Sequence, residues 1–172
     1  MSVIIKGYDV RHDLNYLINS PIILFKMISE TLLPWYLREL DKLKEELSLY
    51  KNENDLWLLK GDVKNSPGTL AVHLIGNLKH FIGAQLGHTG YIRNRDKEFA
   101  ERNIPREKML AEIDEVISIM QKVLPTVTDE KFNSEFPIPF LEKTRSTGEI
   151  LFILYGHLNY HLGQINYHRR LL

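Results

Sequence analysis

The 172-residue sequence predicts an all-α protein built as a four-helix bundle. Three observations carry this prediction. Apolar residues recur at helical spacing in four long segments, Ser-Pro pairs precede two of these segments, and strand signals are weak along the whole chain. We expect residues 20–172 to form a single domain, preceded by a lead-in over residues 1–19.

The first helix is predicted over residues 21–49. Ser20-Pro21 supplies an N-cap followed by proline at the first helical position, and apolar residues then recur at helical spacing as far as Leu47. Pro34 is expected to kink this helix or to end its first half, because proline removes a backbone hydrogen bond. A connection follows, in which Trp57 is expected to pack back onto the bundle.

The second and third helices are separated by a charged segment. Ser66-Pro67 repeats the capping pattern and predicts the second helix over residues 67–93. Residues 93–103 are rich in charged side chains and are predicted to form a loop. Pro105 then opens the third helix, and Pro125 ends it.

Two sequence features define the approach to the fourth helix. Pro137-Ile138-Pro139 forbids a helix and predicts a short extended or hairpin segment. Ser146 and Glu149 have the spacing of a capping box, so the fourth helix is predicted from about 147 to 170.

The fourth helix carries three of the seven histidines on one narrow face. At about 100° per residue, His157, His161, Gln164 and His168 lie within a stripe about 60° wide. The i, i+4 pair His157 and His161 places two imidazoles one above the other, close enough to share a metal ion.

The second helix repeats this pattern. Relative to His73, Asn77 and His80 have about the angular offsets that His161 and Gln164 have relative to His157. If the two stripes face each other in the interior, His73 completes a three-histidine site with His157 and His161. Three neutral nitrogens with an open fourth position are typical of a catalytic metal site rather than a structural one.

The remaining polar residues of the two stripes are expected around the metal site and not as ligands of the ion. His80 and His168 each lie seven residues from a proposed ligand, about 10 Å along a helix axis, which is too far to reach the same ion. We expect these two histidines at the ends of a polar slot. Asn77 and Gln164 are expected to orient an imidazole or a bound water. Imidazole and water ligands suit Zn, Ni, Co, Fe or Mn, and Zn or Ni is the expected divalent metal.

Composition narrows the function classes. Twenty-two basic residues balance twenty-two acidic ones, which gives no electrostatic reason to expect a nucleic-acid or membrane partner. The chain has no cysteine, and it shows neither a Ser-His-Asp pattern nor a glycine-rich phosphate loop. No signal-peptide pattern and no membrane-length apolar run is present, so we expect a cytoplasmic protein.

The histidine motifs give a family resemblance. His73-Leu74-Ile75-Gly76-Asn77 and the run from His157 to Gln164, together with the segment from Arg93 to Phe99, resemble the DinB/YfiT-like superfamily. The resemblance covers the chain from about residue 20 to its end. It implies an up-down-down-up bundle, often dimeric, with a divalent metal held by His73, His157 and His161.

The same resemblance implies two enzyme classes. Characterised relatives include thiol-S-transferases that use bacillithiol or mycothiol, and others are described as metal-dependent hydrolases. A transferase would use the metal to lower the pKa of a low-molecular-weight thiol, and a hydrolase would use it to activate water. Neither histidine motif contains an obvious general-base carboxylate, which favours the transferase with a small-molecule substrate.

A third alternative is a non-catalytic helical protein that binds a partner or dimerises, its histidines satisfied by hydrogen bonds. For the 93–103 segment, the sequence favours a pocket rim and a dimer contact equally.

Overall fold

The computed structural model describes residues 31–172, and this part of the chain is all-α, with no strand. Along the chain its helical elements are α1 (Leu33–Ser48), a 3-10 turn (Glu53–Trp57), α2 (Pro67–Leu78), a wider π-helical segment that continues α2 (Lys79–Ala84), α3 (Arg95–Ala100), α4 (Arg106–Val123), a 3-10 turn (Leu124–Thr126), α5 (Asp129–Asn133) and α6 (Thr147–Arg170). The four long helices are therefore α1, α2, α4 and α6. The predicted lead-in over residues 1–19, the Ser20-Pro21 cap and residues 21–30 of the first helix lie outside the described residues.

Whether Pro34 kinks the predicted helix or ends its first half depends on residues 21–30, which lie outside the described residues. This proline occupies the first turn of the regular helix, which begins at Leu33. Residues 31 and 32 before this helix are also helical, in the wider π form, so the change of helix type lies beside a proline that lacks a backbone N–H.

The second helix begins where predicted but ends earlier. The side chain of Ser66 accepts a hydrogen bond from the Thr69 backbone N–H at 3.2 Å, and Pro67 occupies the first turn. Helical structure ends at Ala84 rather than at residue 93. A Cβ on Gly87 would lie 2.4 Å from the Val123 side chain, so the chain turns there at a close contact with α4. His88 follows with φ at 51°, a conformation that cannot continue a helix.

The third and fourth predicted helices correspond to α4 and α6. Helix α4 runs between Pro105 and the turn that contains Pro125, as expected. Helix α6 spans Thr147–Arg170 and begins with the predicted capping box, in which the Ser146 side chain and the Glu149 side chain each bond to the other residue's backbone. The prediction of this helix is confirmed.

Two connecting segments differ in how well they were predicted. Residues 93–103 contain the short helix α3, so the prediction of a loop is wrong there. The Asn94 side chain caps this helix by accepting a bond from the Lys97 N–H at 3.0 Å. Before α6, antiparallel pairing joins Glu135 to Ser146 and Phe140 to Lys143, which agrees with the expected short extended segment.

The long helices pack in pairs. Helix α1 contacts α4 and α6, and α2 contacts the same two helices. The Tyr36 hydroxyl donates to the Leu151 carbonyl at 2.6 Å, and the Tyr50 hydroxyl lies 3.1 Å from the Ile165 carbonyl, so α1 and α6 run parallel. Arg106 donates to the Ser48 carbonyl at 3.1 Å, which places the start of α4 against the end of α1.

A single apolar core lies between these helices. Its fully buried members come from all four of them and include Leu40, Leu43, Leu47, Leu74, Leu78, Ile113, Met120, Leu151, Leu154 and Leu158. Burial of such side chains is the main stabilising contribution, about 25 cal/mol per Å² of apolar surface. Within residues 31–172, no helix combines the length and the apolar character needed to span a bilayer.

Candidate metal centre

The structure brings His73, His157 and His161 together. His73 lies in the middle of α2, and the other two lie one turn apart on α6, where the two helices face each other. One ring nitrogen from each histidine lies within 4.8 Å of the others. The Nε2 atoms of His73 and His157 are 3.2 Å apart. His73 is buried, and the other two are half-buried.

These distances fit a shared divalent ion. Two imidazole nitrogens, each about 2.0–2.1 Å from a tetrahedral zinc, lie about 3.3 Å from each other. The pair formed by His73 and His157 is already at that separation. His161 completes the group within the 4.8 Å limit, and nitrogen donors suit Zn and Ni. The three residues can therefore hold a metal ion.

The local environment keeps the two α6 histidines neutral. Burial, followed by repulsion from His161 and His73, lowers the pKa of His157 to about 4. Burial also lowers the pKa of His161, although a hydrogen bond to Gln164 partly opposes this shift. At pH 7 both rings are neutral, and a neutral imidazole has the lone pair that a metal requires.

A carboxylate fixes the orientation of His73. Its Nδ1 lies 2.9 Å from Glu98 Oε2, and Glu98 is held by two bonds from Arg93, at 2.7 and 2.8 Å. Burial raises the pKa of Glu98, but the hydrogen bonds from Arg93 and His73 outweigh this and leave the pKa below its usual value. Because an ionised carboxylate only accepts, Nδ1 carries the proton and Nε2 is free to bind a metal.

Gln164 orients the ring of His161, as Glu98 orients the ring of His73. Its Oε1 atom lies 2.6 Å from His161 Nδ1. The amide oxygen accepts the Nδ1 proton, so Nε2 of His161 is also available as a ligand. This contact agrees with the expectation that Gln164 orients an imidazole.

Asn77 and His80 lie further along the helix that carries His73. Asn77 is buried, and within residues 31–172 its Oδ1 atom has no hydrogen-bond partner. His80 is half-buried, with its Nδ1 likewise unpartnered there. Burial, followed by the charge of Arg93, lowers the pKa of His80. Neither residue belongs to the cluster of three histidines.

His168 has a structural environment. It is 5 % exposed, and its Nε2 donates to the Leu58 carbonyl at 3.0 Å. Its Nδ1 then accepts from the Tyr50 hydroxyl, also at 3.0 Å. These bonds tie the end of α6 to the connection between α1 and α2.

A cleft of about 720 Å³ opens beside His161. It lies between the C-terminal half of α6, the start of α2 and the connection before it. The described residues that line it are Lys60, Asp62, Val63, Lys64, Asn65, Pro67, Leu70, Tyr160, His161, Gly163, Gln164, Tyr167, His168 and Leu171. A volume of this size suits a small organic molecule.

Glu98 and Arg93 are the site residues that sequence reasoning missed. The segment that contains them stood out as a family motif, but neither side chain was assigned to the histidines. Twenty-five residues separate Glu98 from His73, and the two lie on different elements. No helical spacing links them, so their contact follows only from the tertiary structure.

A comparison with protein-family models finds a match over most of the chain. A family model described as "Protein of unknown function (DUF1572)" matches residues 36–172, which is more than half of the chain. A comparison with curated proteins gives no match.

Proposed function

The chain belongs to the DUF1572 family, and from this membership and the three-histidine cluster we propose a divalent-metal-dependent enzyme of the DinB/YfiT-like superfamily. The observation that carries the proposal is the convergence of three imidazole nitrogens within 4.8 Å. The bonds that His73 donates to Glu98 and His161 donates to Gln164 support it, because both leave Nε2 available. The ion we propose is Zn or Ni.

We propose the up-down-down-up bundle of that superfamily as the architecture. The parallel arrangement of α1 and α6 supports it, as does the contact between the start of α4 and the end of α1. The start of α2, at Pro67 and Leu70, lines the same cleft as Tyr167 and Leu171 at the end of α6, as expected for antiparallel helices.

The proposed reaction is transfer of a low-molecular-weight thiol to an electrophilic small molecule. The bound ion would supply Lewis acidity, which lowers the pKa of a coordinated thiol toward neutrality. The chain's own contribution is to hold three imidazoles in place, with that of His73 buried. The cleft beside His161 provides room for the thiol or its acceptor.

The geometry favours transfer over hydrolysis. The carboxylate beside the cluster, Glu98, accepts two bonds from Arg93 and one from His73. It is also 5 % exposed, so neither of its oxygens is placed to take a proton from an attacking water. A thiol held by such an ion would need no base of this kind, because the ion itself would lower the thiol pKa.

Two cations in the cleft are candidates for binding an anionic thiol. Lys60 and Lys64 both line the cleft. Two other cations near the histidine helices are already paired: Lys79 with Glu115 at 2.6 Å, and Arg169 with Glu46 at 2.7 Å. We therefore place the anionic part of the substrate near the connection that precedes α2.

The experiment measures conjugation of a small thiol with 1-chloro-2,4-dinitrobenzene by protein loaded with zinc or nickel. In this reaction the sulfur–carbon bond forms, chloride leaves and the thiol proton passes to solvent. We expect turnover that requires both metal and thiol and that is lost in His157→Ala/His161→Ala. The control is His88→Asn, which removes an exposed imidazole and suits the positive φ at that position.

Two results would overturn the proposal. One is conjugation at the wild-type rate by the double variant, because the cluster would then play no part. The other is cleavage of a p-nitrophenyl ester by the loaded protein with no added thiol and no conjugation, which would support the hydrolase alternative.

A further inference from the structure

Glu98 pairs with Arg93 and also contacts His73, and this second contact is not needed to neutralise the charge of Glu98. Arg93 donates to both carboxylate oxygens, through Nε to Oε1 at 2.7 Å and through Nη2 to Oε2 at 2.8 Å. This bidentate geometry already compensates the charge of a carboxylate that is 5 % exposed. The further bond that His73 donates to Glu98, at 2.9 Å, connects the pair to the histidine cluster.

Gly76 creates the space for that contact. It lies on α2, close to one turn after His73, and a Cβ at this position would be 2.2 Å from Glu98 Oε1 and 2.8 Å from its Cδ. Glycine is disfavoured inside a helix, so it gives no local benefit to α2. Its structural consequence is that the carboxylate can pass close to the helix backbone and reach Nδ1 of His73.

The His73 ring is also restrained on its face. The Phe99 ring, next to Glu98 in the chain, lies 4.8 Å from the His73 ring between centroids. The carboxylate fixes which nitrogen carries the proton, and the phenyl ring limits rotation of the imidazole. His73 Nε2 is thereby held 3.2 Å from His157 Nε2.

We infer that the segment from Arg93 to Phe99 positions His73 as a metal ligand, with Glu98 as the positioning residue and Gly76 as the notch that admits it. The inference rests on the proposed function, because it assumes that the cluster binds a divalent ion. Hydrogen bonds to ligand imidazoles typically strengthen metal binding by about 10–100-fold. The segment therefore acts on metal affinity, beyond any contribution to folding.

The test compares zinc affinity among four variants of the full chain, by competition with a chromophoric chelator. Glu98→Gln keeps the shape of the side chain but removes its charge, and we expect zinc affinity to fall by about 10–100-fold. Gly76→Ala removes no polar group but displaces Glu98, and we expect a loss of similar size. The double variant should lose no more than either single one, because both substitutions break the same contact.

The matched control is Asp96→Asn, which removes an exposed carboxylate from the same short helix and should bind zinc like the wild type. The cobalt(II) forms give a second readout. The d–d absorption bands should shift in Glu98→Gln and stay unchanged in Asp96→Asn, whereas a purely structural role would alter only the melting temperature.

The outcomes separate the two proposals. Wild-type protein that binds no zinc contradicts the proposed function and the inference together. Wild-type protein that binds zinc, with Glu98→Gln binding it equally tightly, overturns only the inference. A lower melting temperature in Glu98→Gln with unchanged affinity also overturns it. Glu98→Gln decides the question alone should Gly76→Ala fail to fold.

Discussion

The low pKa of His157 makes the stability of the metal-free protein depend on pH. Burial, with repulsion from His161 and His73, lowers the pKa from 6.5 to about 4 in the folded protein. The unfolded chain therefore binds a proton at His157 at a higher pH than the folded protein does. Stability rises with pH across this interval, and the contribution is lost as the pH falls from 6.5 toward 4.

The magnitude follows from proton linkage. One pKa unit corresponds to about 1.4 kcal/mol, but His157 is only half-buried, so solvent screening reduces the effect and lowering the pH from 7 to 4.5 costs the folded state about 1 kcal/mol at this one site. Replacement of His157 by Gln removes the titrating group and keeps a polar side chain. The variant should therefore lose about 1 kcal/mol less free energy of unfolding than the wild type over the same pH range.

The assay is urea unfolding at pH 7 and pH 4.5 in the presence of a chelator, followed by circular dichroism. Comparison of the two proteins cancels the titration of the groups that do not interact with His157. His88→Asn is the control, because an exposed side chain has similar surroundings in the folded and unfolded states. Equal pH dependence in the wild type and in His157→Gln would refute the reasoning, and so would a steeper loss in the variant.

Two further predictions concern stability alone. His168→Ala should reduce the free energy of unfolding by about 2 kcal/mol while leaving metal stoichiometry unchanged. The substitution removes the hydrogen-bond partner of the Leu58 carbonyl and leaves a cavity beside Tyr50. Thermal unfolding with metal analysis checks this, and a loss of metal in that variant would contradict it. Ser146→Ala should cost about 1 kcal/mol by breaking the capping box with Glu149, measured by urea unfolding; no change would show that the cap contributes nothing.

Local signals were enough to predict most helix boundaries. The Ser66-Pro67 pair, Pro105 and the capping box at Ser146 each act within one turn, so the sequence alone locates the starts of α2, α4 and α6. The predicted end of the second helix, at residue 93, is wrong because the chain turns where Gly87 meets Val123, two residues that are distant in sequence.

The candidate site was likewise only partly predictable from the sequence. Helical periodicity placed His157, His161 and Gln164 on one face, and the hydrogen bond between His161 and Gln164 agrees with that reading. Periodicity also placed His168 on that face, although its ring bonds to Tyr50 and Leu58. Helical spacing describes one helix at a time. It therefore predicts which residues share a face, but not which residue of another element each of them contacts.

The carboxylate of Glu98 shows what a sequence pattern cannot convey. Its contact with His73 depends on the fold of the segment between α2 and α4, on the short helix α3 capped by Asn94, and on the missing Cβ of Gly76. None of these three features can be derived from the sequence without the folded structure.

Metal stoichiometry tests the central claim most directly. Elemental analysis of purified, untagged wild-type protein, incubated with zinc or nickel and freed of excess ion, is compared with His157→Ala/His161→Ala. We expect about one ion per chain in the wild type and none in the variant, with both proteins equally helical by circular dichroism. A wild type that retains no ion, or a folded double variant that retains the full complement, would contradict the account.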